Sequence, residues 1–160
     1  MAFDVTIKLN KKFTVSADID RVFQLLADVP ASTSHFPDLD NLIAEAANTY
    51  RWEMKKIGLG PINFQTIYCC EYFCDSDTKA ITWQPRDTAD NNAKVSGQWL
   101  ITSTAEGCDV ILETDAVMTI PLPSLAGIGL KPIVKIEFET LTNTYIKNLT
   151  RALSNSKATA

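Results

Sequence analysis

Val134-Lys-Ile-Glu-Phe-Glu-Thr-Leu-Thr-Asn-Thr-Tyr-Ile-Lys-Asn-Leu-Thr-Arg-Ala152 decides how this chain is read. Val134, Phe138, Leu141, Tyr145, Leu149 and Ala152 recur every three or four residues and fall on one stripe of a helix. Lys135, Glu139, Asn143, Lys147 and Arg151 step by four along the other side, where water solvates them. The segments before it alternate apolar and polar residues and are joined by short turns, the pattern of antiparallel strands. A long helix after such strands has one place to bury its stripe, the concave face of a curved sheet. Whether the space between them is filled or hollow then decides what the protein can do.

Working back toward the N-terminus, Phe3, Val5, Ile7, Leu9, Phe13 and Val15 share one parity and define a half-buried first strand. Ser16 or Asp18 caps a short helix carrying Ile19, Val22, Phe23 and Leu26 on one face, and Pro30 ends it. One more helical turn fits before Pro37. Leu42, Ala44 and Ala46 mark the second strand, and Tyr50, Trp52 and Met54 the third. After the break at Gly58-Leu-Gly-Pro61, a long fourth strand runs from Ile62 to Cys74. Ile81 and Trp83 form the fifth, closed by Pro85, and Val95 to Ser103 the sixth. Ala105-Glu-Gly107 turns the chain into a seventh strand, Val110 to Ile120. Pro121 and Pro123 end the sheet, Gly127 and Gly129 loosen the approach to the helix, and the tail beyond Leu153 frays.

A chain of 160 residues without an internal repeat reads as one domain spanning 1–160. Its 46 % hydrophobic and 21 % charged residues exclude wholesale disorder. A net charge of −4, with Lys11-Lys12 and Lys55-Lys56 the only tight basic pairs, excludes nucleic acid as a partner. No apolar run spans a bilayer and the N-terminus alternates at once, so the expected location is cytoplasmic, with the four cysteines reduced. Cys69 and Cys70 point to opposite strand faces, and Cys70 and Cys74 are too far apart to bridge. With His35 the single histidine and no Cys-x-x-Cys, neither a metal nor another cofactor is expected.

Three segments carry a family likeness together with the terminal helix: Phe13-Thr-Val-Ser-Ala-Asp-Ile-Asp-Arg-Val-Phe-Gln-Leu-Leu-Ala-Asp28, His35-Phe-Pro37 and Tyr50-Arg-Trp-Glu-Met54. Across nearly its whole length the chain resembles the START/Bet v 1-like superfamily, in the branch of polyketide cyclases, coenzyme Q-binding proteins and CoxG-like proteins. The resemblance implies an α+β helix-grip fold: a curved antiparallel sheet of about seven strands, two short helices and a long C-terminal helix. It further implies an apolar cavity between sheet and helix for a lipid, isoprenoid or polyketide-like molecule.

Strand parity directs Tyr50, Trp52, Met54, Phe64, Thr66, Tyr68, Tyr72, Trp83, Trp99, Ser103, Leu112, Thr114 and Met118 toward Phe138, Leu141 and Tyr145 of the helix. Ala44, Ala46, Gly97 and Ala116 leave room beside them. Bulky walls with small floor positions suit a ligand pocket, in which Thr66, Tyr68, Tyr72 and Ser103 orient a polar end. The same alternation also builds a filled core, and an interaction protein with a filled cavity is the matching alternative. A cyclase-type enzyme is the other, with His35, Tyr68 and Tyr72 as its candidates for moving protons. No catalytic residue is assigned, because no acid–base pair points inward; Glu53, Glu71, Glu113 and Asp115 fall on outer faces. Ser124 lacks a Gly-x-Ser-x-Gly frame. The stretch 120–134, apolar through Leu122, Leu125, Ile128 and Leu130, reads as a gate, as a patch touching a membrane or partner, or as packing over the open end of the sheet. The oligomeric state is not encoded in any of these patterns.

Overall fold

In a computed structural model, which describes residues 2–158 and side chains through Ser154, the N-terminal alternation becomes β1 (Phe3–Val15). Two short helices follow, α1 (Ile19–Ala27) and α2 (Val29–Thr33), then β2 (Leu39–Ala46) and β3 (Thr49–Met54). A hairpin of β4 (Ile57–Leu59) and β5 (Ile62–Phe64) precedes β6 (Ile67–Asp75), β7 (Ala80–Arg86), β8 (Ala93–Thr104) and β9 (Gly107–Ile120). A 3-10 turn (Ser124–Ala126) leads into α3 (Gly127–Ala158). Seven strands form one antiparallel sheet in the order β1-β9-β8-β7-β6-β3-β2, and α3 grips its concave side: this is the helix-grip fold.

The last strand returns beside the first, with Phe3 opposite Ile120 and Val15 opposite Cys108. At that end Gly107 begins β9, where a Cβ would stand 2.0 Å from the carbonyl oxygen of Val15. Only glycine lets the β8–β9 hairpin close against β1. Of the stripe, Val134, Phe138, Tyr145 and Leu149 are buried with Val5, Ile81 and Val110 of the sheet, Leu141 and Ala152 are half-buried, and Leu153, next to the stripe, is buried as well.

Several sequence expectations need correction. Pro30 does not end α1; Asp18 caps α1, Asp28 caps α2 by accepting from Ala31 N at 3.1 Å, and Pro30 sits in α2's first turn, where a missing N–H costs nothing. The long fourth strand is two elements. Asn92 lodges in the gap, accepting from Ile67 N at 2.8 Å and donating to Gln65 O at 2.6 Å, so the backbone there leaves the ladder. Ala44 and Ala46 are exposed, since β2 is an edge strand with register shifts between Leu39 and Asn41 and between Ala44 and Ala46. The apolar connection after Pro123 is helical from Gly127, with Pro132 inside the helix. The helix also continues past Leu153 to Ala158, while 159–160 lie outside the described residues. All four cysteines are free, and no described helix is long and apolar enough to cross a membrane.

Arg51 on β3 links the edge strand β2 to the loop between β7 and β8. Its Nη2 donates to Asp90 Oδ2 at 2.6 Å and its Nε to Glu53 Oε2 at 2.7 Å, while Asn41 Nδ2 of β2 donates to Glu53 Oε1 at 3.0 Å. These hydrogen bonds, Arg51's foremost, hold both carboxyls below the usual carboxylate range. The unfolded chain therefore binds protons first as the pH drops. The stability contributed is complete above the ordinary values of about 4 and is lost as pH falls through the lower folded ones. An Asp90→Asn variant should show a shallower loss of its urea midpoint between neutral and strongly acidic pH than the parent; parallel acid limbs would refute the linkage.

Candidate functional site

Successive inward positions on neighbouring strands place aromatic rings against one another. Cross-strand pairing puts Trp52 opposite Tyr68, Tyr72 opposite Trp83, and Trp83 opposite Gly97. Gly97 is the flat spot on which the Trp83 indole lies: a Cβ there would stand 2.6 Å from Trp83 Cζ2 and 2.3 Å from the backbone oxygen of Glu113. Trp52 and Tyr68 stack at 5.5 Å and 16°.

The rings close a circuit. Phe36 meets Trp52 edge-on at 5.6 Å, Trp52 Nε1 donates to Tyr72 OH at 3.1 Å, and Tyr72 meets Trp83 at 5.8 Å. Trp83 meets Trp99 at 6.3 Å, Trp99 meets Tyr145 at 6.1 Å, and Tyr145 returns to Phe36 at 5.1 Å. Each such contact adds about 0.5–1.5 kcal/mol beyond area burial. The circuit borders a hollow of about 70 Å³ between the sheet, α3 and the α1–α2 roof. All three tryptophans of the chain line it.

Nine residues expected at the site line this hollow: Trp52, Tyr68, Tyr72, Trp83, Trp99, Leu112 and Thr114 from the sheet, with Phe138 and Tyr145 from α3. Met54, Phe64, Thr66, Met118 and Leu141 gather instead around a second space of about 30 Å³ beside the β4–β5 hairpin, with Phe138 common to both. Tyr50 opens on an outer depression of about 390 Å³, which shares Thr33 and Phe36 with the inner hollow. Ser103 is a correction: it is exposed near the tip of the β8–β9 hairpin, beside Ser16, Asp18 and Arg21, because the strand outruns the helix that covers its neighbours. At about 70 Å³ the hollow is small, since the rings fill most of the space between sheet and helix.

Strand and helix parity does not reveal the roof. Leu26, Val29, Ser32, Thr33 and Phe36 complete the hollow from above, with Thr142 from α3 and Val95 from β8. The spacing Val22, Leu26, Val29 was a usable signal, as was Thr142 lying between Phe138 and Tyr145 on the stripe. Phe36 follows no period. Two hydrogen bonds hold this roof to α3, one between Ser32 Oγ and Tyr145 OH and one from Asn148 Nδ2 to His35 O at 2.9 Å.

The polar groups act as donors and acceptors, not as bases. Burial pushes the Tyr145 phenol up to about 12, with Ser32 opposing, and raises Tyr68 and Tyr72 well above the ordinary phenol value. All three stay protonated at neutral pH. The Tyr68 hydroxyl makes no hydrogen bond among the described residues, although Tyr68 is 5 % exposed. No fully enclosed side-chain oxygen or nitrogen lacks a partner there, so this hydroxyl borders open space, and Tyr68 lines the hollow. His35 does not: its Nδ1 lies 3.1 Å from Ala31 O, outside the lining. The cyclase alternative thus loses its proposed histidine.

No protein-family model matches the chain, and no curated protein matches it in sequence. Solved structures do match in shape. TTHA0849 from Thermus thermophilus aligns over 94 % of this chain and 98 % of its own, at 15 % identity and a TM-score of 0.66. A START superfamily protein from Mycobacterium smegmatis covers 92 % and 97 % at 12 % identity and TM-score 0.63. The Zhui aromatase/cyclase from Streptomyces sp. R1128 covers 94 % and 93 % at 16 % identity and TM-score 0.59. The chain therefore has the START/Bet v 1-like fold that its sequence resembled. At such identities the likeness establishes the fold and leaves activity open.

Proposed function

We propose that the chain binds a hydrophobic small molecule (a lipid, isoprenoid or polyketide-like compound) between the sheet and α3. The observation that carries this reading is the closed aromatic circuit around a hollow lined by Tyr68, whose hydroxyl has no hydrogen-bond partner among the described residues. Apolar walls supply affinity, about 0.8 kcal/mol for each buried methylene, and the hydroxyl orients one polar atom. A START protein and an aromatase/cyclase among the structural neighbours support the same reading.

At about 70 Å³ the hollow is too small for such a ligand as it stands, because ligand pockets occupy roughly 300–1,000 Å³. Uptake therefore displaces a ring, and Phe36 is the one whose movement joins the hollow to the outer depression. Binding ranks ahead of catalysis because the titratable groups lining the hollow are tyrosines held protonated by burial. Transient contact of the 120–134 segment with a membrane or a protein belongs to the same carrier scheme.

Tryptophan fluorescence tests this directly, since every tryptophan lines the hollow. Titration with naphthalene or 1-naphthol should change the emission saturably. Tyr68→Phe should weaken naphthol binding about fivefold, the scale of one hydrogen bond, and leave naphthalene unaffected. Emission that stays constant with both probes would reject the proposal.

A further inference from the structure

The 3-10 turn and the first turns of α3 present an apolar face that no described residue covers. Leu125, Ile128 and Ile136 are 81 %, 79 % and 66 % exposed, and Ile133 is 52 % exposed. At helical spacing they share one side with Gly129 and Pro132, which are also exposed, while Gly127, Val134 and Phe138 bury the opposite side. Isolated exposed apolar residues are ordinary, but four large ones on one face over twelve residues form a patch.

Its charge says what covers it. From Pro121 to Ile136 the only charged residues are Lys131 and Lys135, which gives +2 in a chain of net charge −4. Both lysines are exposed and lie one turn apart, along the Ile128 edge of the face. Of the acids that follow, Glu139, one turn beyond Ile136, is paired with Lys11 at 3.4 Å, and Glu137 is half-buried on the opposite flank, where it lines a space with Lys55. An apolar face with two free-standing lysines along one flank is the pattern of a helix that lies in an anionic lipid interface, with its lysines reaching up to the headgroups.

We propose that residues 125–136 dock the protein onto anionic membrane surfaces, Leu125, Ile128, Ile133 and Ile136 dipping among the acyl chains and Lys131 and Lys135 meeting the phosphates. The contact is peripheral and reversible, and it stands whatever occupies the hollow.

Flotation of the full chain with lipid vesicles, without any probe for the hollow, tests this. The protein should float with vesicles of phosphatidylcholine mixed with phosphatidylglycerol and much less with phosphatidylcholine alone. Lys131→Gln with Lys135→Gln should lower partitioning about thirtyfold, and high salt should do the same. Ile128→Ser with Ile136→Ser should lower it at least about tenfold, with thermal unfolding unchanged because both positions face solvent. Failure to float with either vesicle, or equal flotation of all variants, would overturn the proposal. So would a dimer in light scattering that the isoleucine changes abolish, for the face would then belong to a second copy. Loss of flotation leaves the fluorescence titration untouched, so either reading can fail without the other.

Discussion

Replacing Trp99 by Ala should lower the free energy of unfolding by about 3–5 kcal/mol, the range for truncating a large buried aromatic. Trp99 is 4 % exposed and touches Phe13, Trp83 and Tyr145, with ring centroids 6.2, 6.3 and 6.1 Å away. Its removal breaks the circuit on the side facing α3 and enlarges the hollow. In an ordinary core that loss is final. In a binding hollow, the enlarged space should accept an apolar probe, which returns about 2.7 kcal/mol at a hundredfold excess over its Kd. Urea unfolding of Trp99→Ala with and without naphthalene measures both quantities. A loss below about 1 kcal/mol would show that Trp99 is not packed as described. A full loss with no recovery would describe a plain core.

Gly97→Val should cost about 3 kcal/mol or more, the upper range for overpacking, because two neighbours occupy the space of its first carbon. One is a side chain, Trp83 Cζ2 at 2.6 Å, and can move; the other is the backbone oxygen of Glu113 at 2.3 Å, fixed in the β8–β9 ladder. A cycle with Trp83→Leu separates the two. Shrinking the indole should relieve part of the cost and leave the part due to the backbone, so the coupling should be positive but incomplete. Strict additivity would mean that Trp83 does not rest on Gly97.

The helix stripe from Val134 to Ala152 carried the architecture, because a 3.6-residue period over five turns has no other reading. The inward aromatics were legible for a similar reason: period-two parity survives as long as a strand stays regular. It misled where a non-local group intervened. Ile62, Phe64, Thr66 and Tyr68 keep one parity across the break between β5 and β6, and the Asn92 side chain that enforces the break comes from a distant loop. Ser103 obeyed parity but lay beyond the reach of α3, a matter of strand length and not of pattern. The early start of α3 was hidden by Gly127, Gly129 and Pro132, whose local preferences tertiary packing overrides; Gly127 lies close against Phe3. The roof was least legible, since Phe36 sits in irregular chain held by hydrogen bonds to residues more than a hundred positions away.

The size of the hollow could not be read from composition. Whether large inward rings line a space or fill it depends on their rotamers, and here they nearly fill it. Phe36 and α2 therefore bound the hollow as much as the sheet does. On the proposed reading, their two links to α3, through Ser32 with Tyr145 and Asn148 with His35, are what a ligand would have to loosen.

Native mass spectrometry of the protein as purified examines the central claim without any choice of probe. The account predicts a hydrophobic adduct on the wild-type chain that disappears when Thr114, on the floor of the hollow, is replaced by Trp. A bare polypeptide mass, or an adduct that Thr114→Trp leaves in place, would contradict it.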